Sequence, residues 1–548
     1  MLSDFWAAKR YISGCKGSLK KWFLQPWLVL CLTAASAILV FAKAQAYPTT
    51  FYVNSATGND TWDGKSPIWR GGTVGPRKTI QAGISATAPY DTVIVADGIY
   101  TGAGNRDIDF GDRLIVVRSA SGPANCIIDC QGGGRGFLLG SGVTELTTLD
   151  GFTIRNGKAD YGGGIFCWYG SPTIINCVII GNTAEEIGGG LYGCSGIIRN
   201  CVITGNSAQF GGGLAFCDGT IQECVISENK ASERVGGGLC DCRGTIENNT
   251  ITGNVARWGG GLAFCSGEIR NNLISANKAT DQVGGGLCEC DGVIQNNTIV
   301  GNSARWGGGL AFCNGEIRNN LISANKATDQ VGGGLYKCGG TIQNNTIVSN
   351  SAGWGGGLGF CSGTIQNCII WRNTAPEGPQ MYESAVPMDS CVQAWNGGGE
   401  RNIADGPGFI DVDGPDGDPD TYEDNDYRLS AGSRCVDAGQ NEDWMSRAAD
   451  LDGNPRVFFG SSSLTVDMGA YEYGSFPFRI VEIVRESGGE ARLTWSSRPG
   501  DSCSVESCSD LPTALWEEEA TIQCQGPSTI WIDPDVSSVS KFYRIKMK

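Results

Sequence analysis

The sequence predicts an all-β protein, a right-handed parallel β-helix (solenoid) followed by a small antiparallel β-sandwich. Three observations predict it: glycine triplets recur at a nearly constant spacing, and one asparagine and one cysteine recur once per spacing. Self-similarity at a period of roughly 20 to 50 residues is typical of repeat architectures, in which each unit packs mainly on its neighbours.

The glycine triplets define the repeat. After a first step of 26 residues, the steps alternate between 23 and 25, so that the larger unit is 48 residues, and segments 267–287 and 315–335 are identical. Short β-rich runs lie between the glycines, which would each cost about 1 kcal/mol inside a helix. Stacked coils are required to pair the backbone groups of such short strands, and right-handed crossovers are the expected sense. The triplets begin at Gly162, Gly188, Gly211, Gly236, Gly259, Gly284, Gly307, Gly332 and Gly355.

Two asparagine columns support this register. The first is followed two residues later by alanine in every coil, and stacked amides about 4.8 Å apart can form an asparagine ladder. The second has Glu223 as its exception. We interpret both as structural, because every coil must satisfy the polar groups of its turns. The first comprises Asn182, Asn206, Asn229, Asn254, Asn277, Asn302, Asn325, Asn350 and Asn373, and the second Asn176, Asn200, Asn248, Asn271, Asn296, Asn319, Asn344 and Asn367.

The cysteine column lies six residues after the first glycine of each triplet, with Cys167 one residue early. We interpret these thiols as small buried core groups. Disulfides between coils stay open as an alternative, although the coil spacing slightly exceeds the usual Cβ separation of about 3.8 Å. A metal column is disfavoured because the chain has no histidine and no CxxC pairs in this column. Its members are Cys194, Cys217, Cys242, Cys265, Cys290, Cys313, Cys338 and Cys361.

The first 46 residues have the three parts of a secretory signal: a basic leader, the apolar run 28–42, and small residues before a cleavage site after Ala46. An uncleaved membrane anchor is the alternative, although the apolar run is shorter than the roughly 20 residues of a spanning helix. The leader has a net charge of +5, so residues 47–548 carry −21. We therefore expect a secreted or cell-surface protein that is monomeric and is not an integral membrane protein after signal cleavage. Charge repulsion excludes nucleic acid as a partner.

The GGG(L/I) and NxA patterns resemble the right-handed β-helix repeats of the pectate-lyase-like superfamily, and are similar to the repeats of polymorphic outer-membrane adhesins. The segments 51–53, 78–82 and 91–95 resemble the amino-terminal cap of that superfamily. The segments 426–429, 436–439, 450–454 and 467–472 resemble the segment that closes such helices in secreted bacterial proteins.

Residues 476–548 lack the repeat, and their alternating runs resemble fibronectin-III-like tails of exported proteins. Cys503, Cys508 and Cys524 allow one disulfide there, with the pair left open. The predicted domains are a signal peptide (1–46), a cap with irregular coils (47–160), regular repeats (161–375), a closing segment with an acidic loop (376–475) and the sandwich (476–548).

Aromatic residues recur on alternate coils and suggest a binding surface. Because charged residues occupy the same position on the intervening coils, we expect the phenylalanine column to face outward. Two coils span about 9.6 Å, comparable with the repeat of an extended disaccharide. We therefore expect non-catalytic binding of a polysaccharide or cell-surface glycan, with packing against a neighbouring turn as the alternative. The candidate residues are Trp258, Trp306, Trp354, Phe216, Phe264, Phe312 and Phe360.

The family resemblance implies an enzymatic alternative, a polysaccharide lyase or glycoside hydrolase that uses calcium and an arginine or lysine base. The chain has no histidine, so the Gly-His-Gly and Trp-x-Asp-His motifs of two such families are missing. Charged residues also recur in step, for example Lys230, Lys278 and Lys326, which indicates a surface rather than a unique site. An autotransporter-like adhesin is a further alternative.

An acidic stretch in the closing segment is a candidate calcium site. Calcium favours several oxygen ligands on a flexible loop, and crowded carboxylates repel one another without a counterion. A solvated linker is the alternative, since the spacing is not that of an EF-hand. The candidate ligands are Asp411, Asp413, Asp416, Asp418 and Asp420.

Overall fold

The computed structural model describes residues 48–417, 424–457, 465–474, 480–485, 490–497, 502–508, 516–524, 528–533 and 541–547. The predicted signal segment lies outside them. The chain divides into two compact units. The first contains Met1–Val293, Gly301–Asn314 and Lys326–Gln330, and the second contains Ile294–Val300, Gly315–Asn325 and Val331–Lys548.

The first unit is a stack of parallel coils. Each regular coil contributes one strand to each of four ladders, named A to D in chain order. One helix, Ile80–Ser85, begins at its cap residue Thr79, whose side chain accepts a hydrogen bond from the Ala82 amide. Ladder A contains Thr50–Val53, Thr92–Val95, Val116–Ser119, Thr148–Asp150, Thr173–Ile175, Ile197–Arg199, Thr220–Gln222, Thr245–Glu247 and Glu268–Arg270. Ladder B contains Gly98–Tyr100, Cys126–Asp129, Thr153–Arg155, Val178–Ile180, Val202–Thr204, Val225–Ser227, Thr250–Thr252 and Leu273–Ser275.

The other two ladders complete each coil. Ladder C contains Lys158–Tyr161, Thr183–Ile187, Ser207–Ala208, Lys230–Ala231, Val255–Ala256, Lys278–Ala279, Ser303–Ala304 and Lys326–Ala327. Ladder D contains Ile108–Asp109, Phe137–Leu139, Ile165–Cys167, Leu191–Tyr192, Leu214–Ala215, Leu239–Cys240, Leu262–Ala263, Leu287–Cys288 and Leu310–Ala311.

The second unit repeats the coil and then ends in antiparallel structure; the strand Val293–Gln295 spans the boundary between the units. Its coil strands are Glu316–Arg318, Thr341–Gln343 and Thr364–Gln366 in ladder A; Thr298–Val300, Leu321–Ser323, Thr346–Val348, Ile369–Trp371 and Cys391–Val392 in ladder B; and Leu335–Tyr336, Leu358–Gly359 and Met381–Tyr382 in ladder D. The closing segment contains the antiparallel pair Phe409–Asp411 and Asp426–Leu429 and the 3-10 helix Asp443–Arg447.

The carboxy-terminal strands form two small antiparallel sheets. Leu493 and Trp495 of one sheet share a buried cluster with Cys503 and Val505 of the other, as expected for a sandwich. The Sγ atoms of Cys503 and Cys524 lie 3.5 Å apart in that cluster. The predicted fold class, stacked parallel coils followed by small antiparallel sheets, is therefore confirmed. The strands are Ile480–Arg485, Ala491–Ser496 and Ser528–Ile532 in one sheet, and Glu517–Gln523, Ser502–Cys508 and Phe542–Met547 in the other.

The glycine triplets are required where coils approach closely. Gly236 has a φ of +68°, a left-handed conformation that glycine adopts without strain. A Cβ atom on Gly237 would lie 2.4 Å from the carbonyl oxygen of Gly260 on the next coil. Any larger residue at this position would push the two coils apart.

The first asparagine column is a buried ladder, as predicted. Within the first unit, the Asn182 Nδ2 donates to the Asn206 Oδ1 at 3.0 Å, and the pattern continues to Asn302. The second predicted column has a different role. Its members, with Glu223, adopt the left-handed conformation with φ between 51° and 55°, and so turn the chain between ladders A and B. Asn249 and Asn272, one residue further on in their coils, form a second ladder that the sequence analysis missed.

Candidate functional site

The tryptophan column becomes more exposed from its first to its last member. Trp258 is only 4% exposed, Trp306 is half-buried, and Trp354 is 37% exposed. The Arg305 guanidinium lies 4.8 Å from the centre of the Trp306 ring, and the Trp354 Nε1 donates to the Glu377 Oε2 at 3.0 Å. Trp258 therefore contributes to packing, and Trp354 offers a ring surface to solvent.

The prediction that the phenylalanine column faces outward is wrong for Phe216, which is 7% exposed. A charged residue at the same position of the repeat does not mark an outward position: Asp241 is 2% exposed, and its Oδ1 accepts a hydrogen bond from the Arg243 Nε at 2.7 Å. These positions have left-handed backbone, with φ of 55° at Phe216 and 50° at Asp241, so the simple alternation of a strand does not apply. The other members, Phe264, Phe312 and Phe360, are half-buried. A binding role for this column stays a prediction.

Five rings in the first unit form a cluster, here called the aromatic platform: Phe166, Trp168, Tyr169, Tyr192 and Phe216. The rings of Phe166 and Tyr192 are stacked, with centroids 5.3 Å apart and an interplanar angle of 6°. Trp168 lies 5.7 Å from Phe166 and 5.9 Å from Tyr169, between ring centroids. Trp168 is 43% and Tyr169 60% exposed, so the outer edge of the platform faces solvent.

The fold positions these rings through ladder D. Phe166 and Tyr192 are register partners on adjacent strands, which places their side chains side by side. The next residue after Phe166, Cys167, forms a disulfide with Cys194 of the following coil. The platform is thus built on hydrogen-bonded strands with a covalent link beside them. Such support fixes the positions of the rings relative to one another.

Charged and polar groups surround the platform. The Arg135 guanidinium lies 4.9 Å from the centre of the Phe166 ring, and burial lowers the pKa of Arg135. Its Nε is 4.0 Å from the Asp107 Oδ1. The Tyr161 hydroxyl donates to the Glu186 Oε2 at 2.6 Å. The surroundings therefore combine one cation with two carboxylates and one phenol.

The sequence analysis missed four platform residues, Phe166, Trp168, Tyr169 and Tyr192. They lie in the two coils in which the repeat is least regular, where Cys167 comes one residue early. An available signal was the run Phe166 to Tyr169, in which three of the four residues are aromatic. In the second unit, the predicted residue Phe360 is in edge contact with Tyr336 and Tyr382, two rings that were also missed, with centroids 6.3 and 5.6 Å apart.

An open cleft of about 550 Å³ lies beside the helix Ile80–Ser85 and contains charged residues from non-repeating positions. The Asp60 Oδ1 accepts hydrogen bonds from the amides of Lys78 and Thr79, both at 2.8 Å. The Arg77 guanidinium donates to the Asp60 carbonyl oxygen. These bonds stabilise the turn into the helix, and we assign no catalytic role to the cleft.

The acidic stretch is only partly described, because Asp418 and Asp420 lie outside the described residues. Asp411 and Asp416 are exposed, and the Asp413 Oδ1 lies 3.1 Å from the Arg372 Nη1. Within the described part of the chain, no three histidine, cysteine or acidic side chains are grouped to hold a metal ion. Calcium binding by this stretch stays a prediction.

Comparisons with known proteins add little to this description. No protein-family model matches the chain, and no curated protein matches it. Among solved structures, a complex of XylC with xylose is similar over 88% of this chain and 100% of that chain, with 12% identity and a TM-score of 0.32. A likeness at this level says nothing about the ligand of this chain. Fold and platform define a parallel β-solenoid with a partly exposed aromatic surface.

The described residues contain no helix that is both long and apolar enough to cross a membrane.

Proposed function

We propose that the chain binds a neutral polysaccharide or cell-surface glycan through the aromatic platform. The observation that carries this proposal is the exposed edge of the platform, where Trp168 and Tyr169 present large ring surfaces next to the stacked pair of Phe166 and Tyr192. Aromatic residues with one apolar face and a polar edge are well suited to ligands that are themselves amphipathic, such as sugar rings.

The electrostatics favour a neutral ligand over an acidic one. The carboxylates of Asp107 and Asp160 both interact electrostatically with Arg135. Glu186 accepts a hydrogen bond from Tyr161, whose ring contacts Tyr192 of the platform. The whole chain also carries a net charge of −16. An acidic polysaccharide would be repelled at long range, whereas a neutral one would meet hydrogen-bonding groups around an apolar centre. A secreted or cell-surface location, as expected from the leader, would bring the platform into contact with such polymers.

Affinity electrophoresis of the full chain through gels containing hydroxyethylcellulose, xylan or mannan tests the proposal, with polygalacturonate as the acidic comparison. We expect at least one neutral polymer to retard the protein, and Trp168→Ala with Tyr169→Ala to abolish the retardation. Tyr90→Ala is the matched control, since Tyr90 is 59% exposed in the same unit but outside the platform. Retardation that is unchanged in the double variant would place binding elsewhere, and Trp354→Ala then tests the tryptophan column.

The same samples distinguish binding from cleavage. Chromatography of each polymer after prolonged incubation with the protein should show no shortened products if the chain is a binding protein. Release of oligosaccharides would instead support the enzymatic alternative.

A further inference from the structure

The cysteine column of the first unit forms a continuous row of buried sulfur atoms. After the bonded pair Cys167–Cys194, the members are exposed by 1% or less. Each thiol donates to the carbonyl oxygen two residues earlier in its own coil, at 3.5 to 3.6 Å. The side chains therefore share one orientation. These members are Cys217, Cys242, Cys265, Cys290 and Cys313.

Consecutive members face each other across adjacent coils. The preceding strands of ladder D are in exact register, since Leu214 pairs with Leu239 and Leu239 with Leu262. The thiol of Cys242 is within hydrogen-bonding reach of both Cys217 and Cys265. The thiol of Cys290 has the same relation to Cys265 and Cys313.

The first pair of the row shows that adjacent coils accept a covalent link beside this position, with Cys167 one residue earlier in its coil than the later members. Cys167 and Cys194 are bonded, with their Cα atoms 5.1 Å apart. That separation is within the usual range for disulfides, about 4.4 to 6.8 Å. It is also close to the general spacing of neighbouring parallel strands, about 4.8 Å. The later members follow strands of ladder D that are paired in this parallel arrangement.

We propose that the row continues as disulfides in an oxidising compartment, with Cys217 bonded to Cys242 and Cys265 to Cys290. Pairing starts at Cys217 because Cys194 is already used. In the second unit, the adjacent thiols of Cys338 and Cys361 form the corresponding pair. The two coils of each pair are then joined by a disulfide, here called a rung, as well as by backbone hydrogen bonds.

Each rung forms by thiol–disulfide exchange. Two thiols lose two electrons and two protons, and a low-molecular-weight or protein disulfide accepts them and becomes two thiols. The column is inaccessible in the folded chain, so the exchange takes place while the coils stack. This inference is independent of the proposed glycan binding.

The chain contains its own control cysteines. Cys240 lies in register with Ala215 and Ala263, and Cys288 with Ala263 and Ala311. Both are as buried as the column, at 0% and 1% exposed. Because their register neighbours are alanines, we expect both to remain thiols in the protein that carries the rungs.

Peptide mapping tests the proposal. The full chain, exported to an oxidising compartment and purified without reductant, is denatured in N-ethylmaleimide and digested with trypsin. We expect a cross-link between peptides 200–230 and 235–243 and another between 258–270 and 279–305, with fragment ions placing maleimide on Cys240 and Cys288. Peptide 258–270 is distinguishable from its near copy 306–318 because Ser266 replaces Asn314.

Two results would overturn the proposal. Maleimide on Cys217, Cys242, Cys265 and Cys290 would show that the column consists of thiols. Cross-links that join Cys242 to Cys265 and Cys290 to Cys313 would show rungs in the other register.

Discussion

The identical segments 267–287 and 315–335 have different surroundings. Leu273 of the first segment is 40% exposed, whereas Leu321 at the same position of the second is 9% exposed. Asn271 is exposed, whereas its counterpart Asn319 is 1% exposed. Both asparagines have a φ of 55°. The repeat therefore determines the conformation of the coil but not whether the coil is covered.

The closing segment causes the difference. In the second unit, the Asn319 Nδ2 donates to the Ala449 carbonyl oxygen at 3.0 Å, and the Asn296 Nδ2 donates to that of Asp450 at 2.9 Å. Leu321 packs against Tyr427 of the closing segment in one hydrophobic cluster, and Leu451 packs against the same cluster. The turn amide of Asn319 thus binds a second layer, whereas Asn271 at the same position of the repeat is exposed.

A buried ion pair stabilises that second layer and should show the largest effect. Arg456 is 0% exposed, lies 3.0 Å from the Glu472 carboxylate, and donates to the carbonyl oxygens of Asp467 and Gly469. Arg456→Met leaves a buried carboxylate without its cation, so we expect the closing segment to lose about 3 to 5 kcal/mol of local stability. Native-state hydrogen exchange measures this loss, because long repeat arrays do not unfold in a single step. Arg434→Met, at an exposed pair, should cost at most about 1 kcal/mol.

Leucine truncation compares the two regions directly. Leu321→Ala should cost about 2 to 3 kcal/mol, because it opens a cavity under the closing segment. Leu273→Ala removes a side chain that is already 40% exposed and should cost well under about 1 kcal/mol. Equal losses, measured by hydrogen exchange of the two coils, would mean that the closing segment does not cover Leu321 in solution.

Glycine substitution isolates the turn amide. Glycine accepts the left-handed conformation, so Asn271→Gly should change local stability by only a few tenths of a kcal/mol. Asn319→Gly also loses the bond to Ala449 and should cost about 1 kcal/mol more. Exchange rates of the amides near Ala449 report the difference, and a change of similar size in both variants would contradict the assigned bond.

A pH dependence restricted to the closing segment is the smallest expected effect. Burial raises the pKa of Asp467 to about 6. The folded state therefore binds a proton more tightly than the unfolded chain, and this stabilising contribution is lost as the pH rises from about 4 to about 6. Bonding to Arg428 lowers the pKa of Asp426, whose opposite contribution changes only below about pH 4 and so does not offset this loss.

After correction for intrinsic exchange rates, protection of the closing segment should thus be greater at pH 5 than at pH 7.5. Asp467→Asn should reduce this difference, and Glu472, whose pKa burial raises well above its usual value, should account for a further part. Coils of the first unit around Asn271 provide the comparison, and a pH dependence of equal size there would rule out Asp467 as its source.

Much of the coil could be predicted from the sequence because local chemistry repeats with it. The asparagine ladder through Asn254 was predictable because one asparagine recurs in every coil. The need for glycine at Gly237 has an equally local cause, because the next coil approaches too closely for a Cβ atom. The aromatic surface could not be predicted in the same way. Asp241 was expected to mark an outward column and is buried with Arg243, while Phe166 and Tyr192 meet only because their strands are register partners.

By itself the sequence determined the stacked-coil architecture. Its short strands, separated by glycine triplets and asparagine turns, can pair their backbone groups only if each coil stacks in register on the next. The tertiary structure alone decided which coils are covered and which rings meet. Exposure depends on residues more than a hundred positions away, as between Asn319 and Ala449. Identical segments therefore have different surfaces, and the repeat contains no information about that difference.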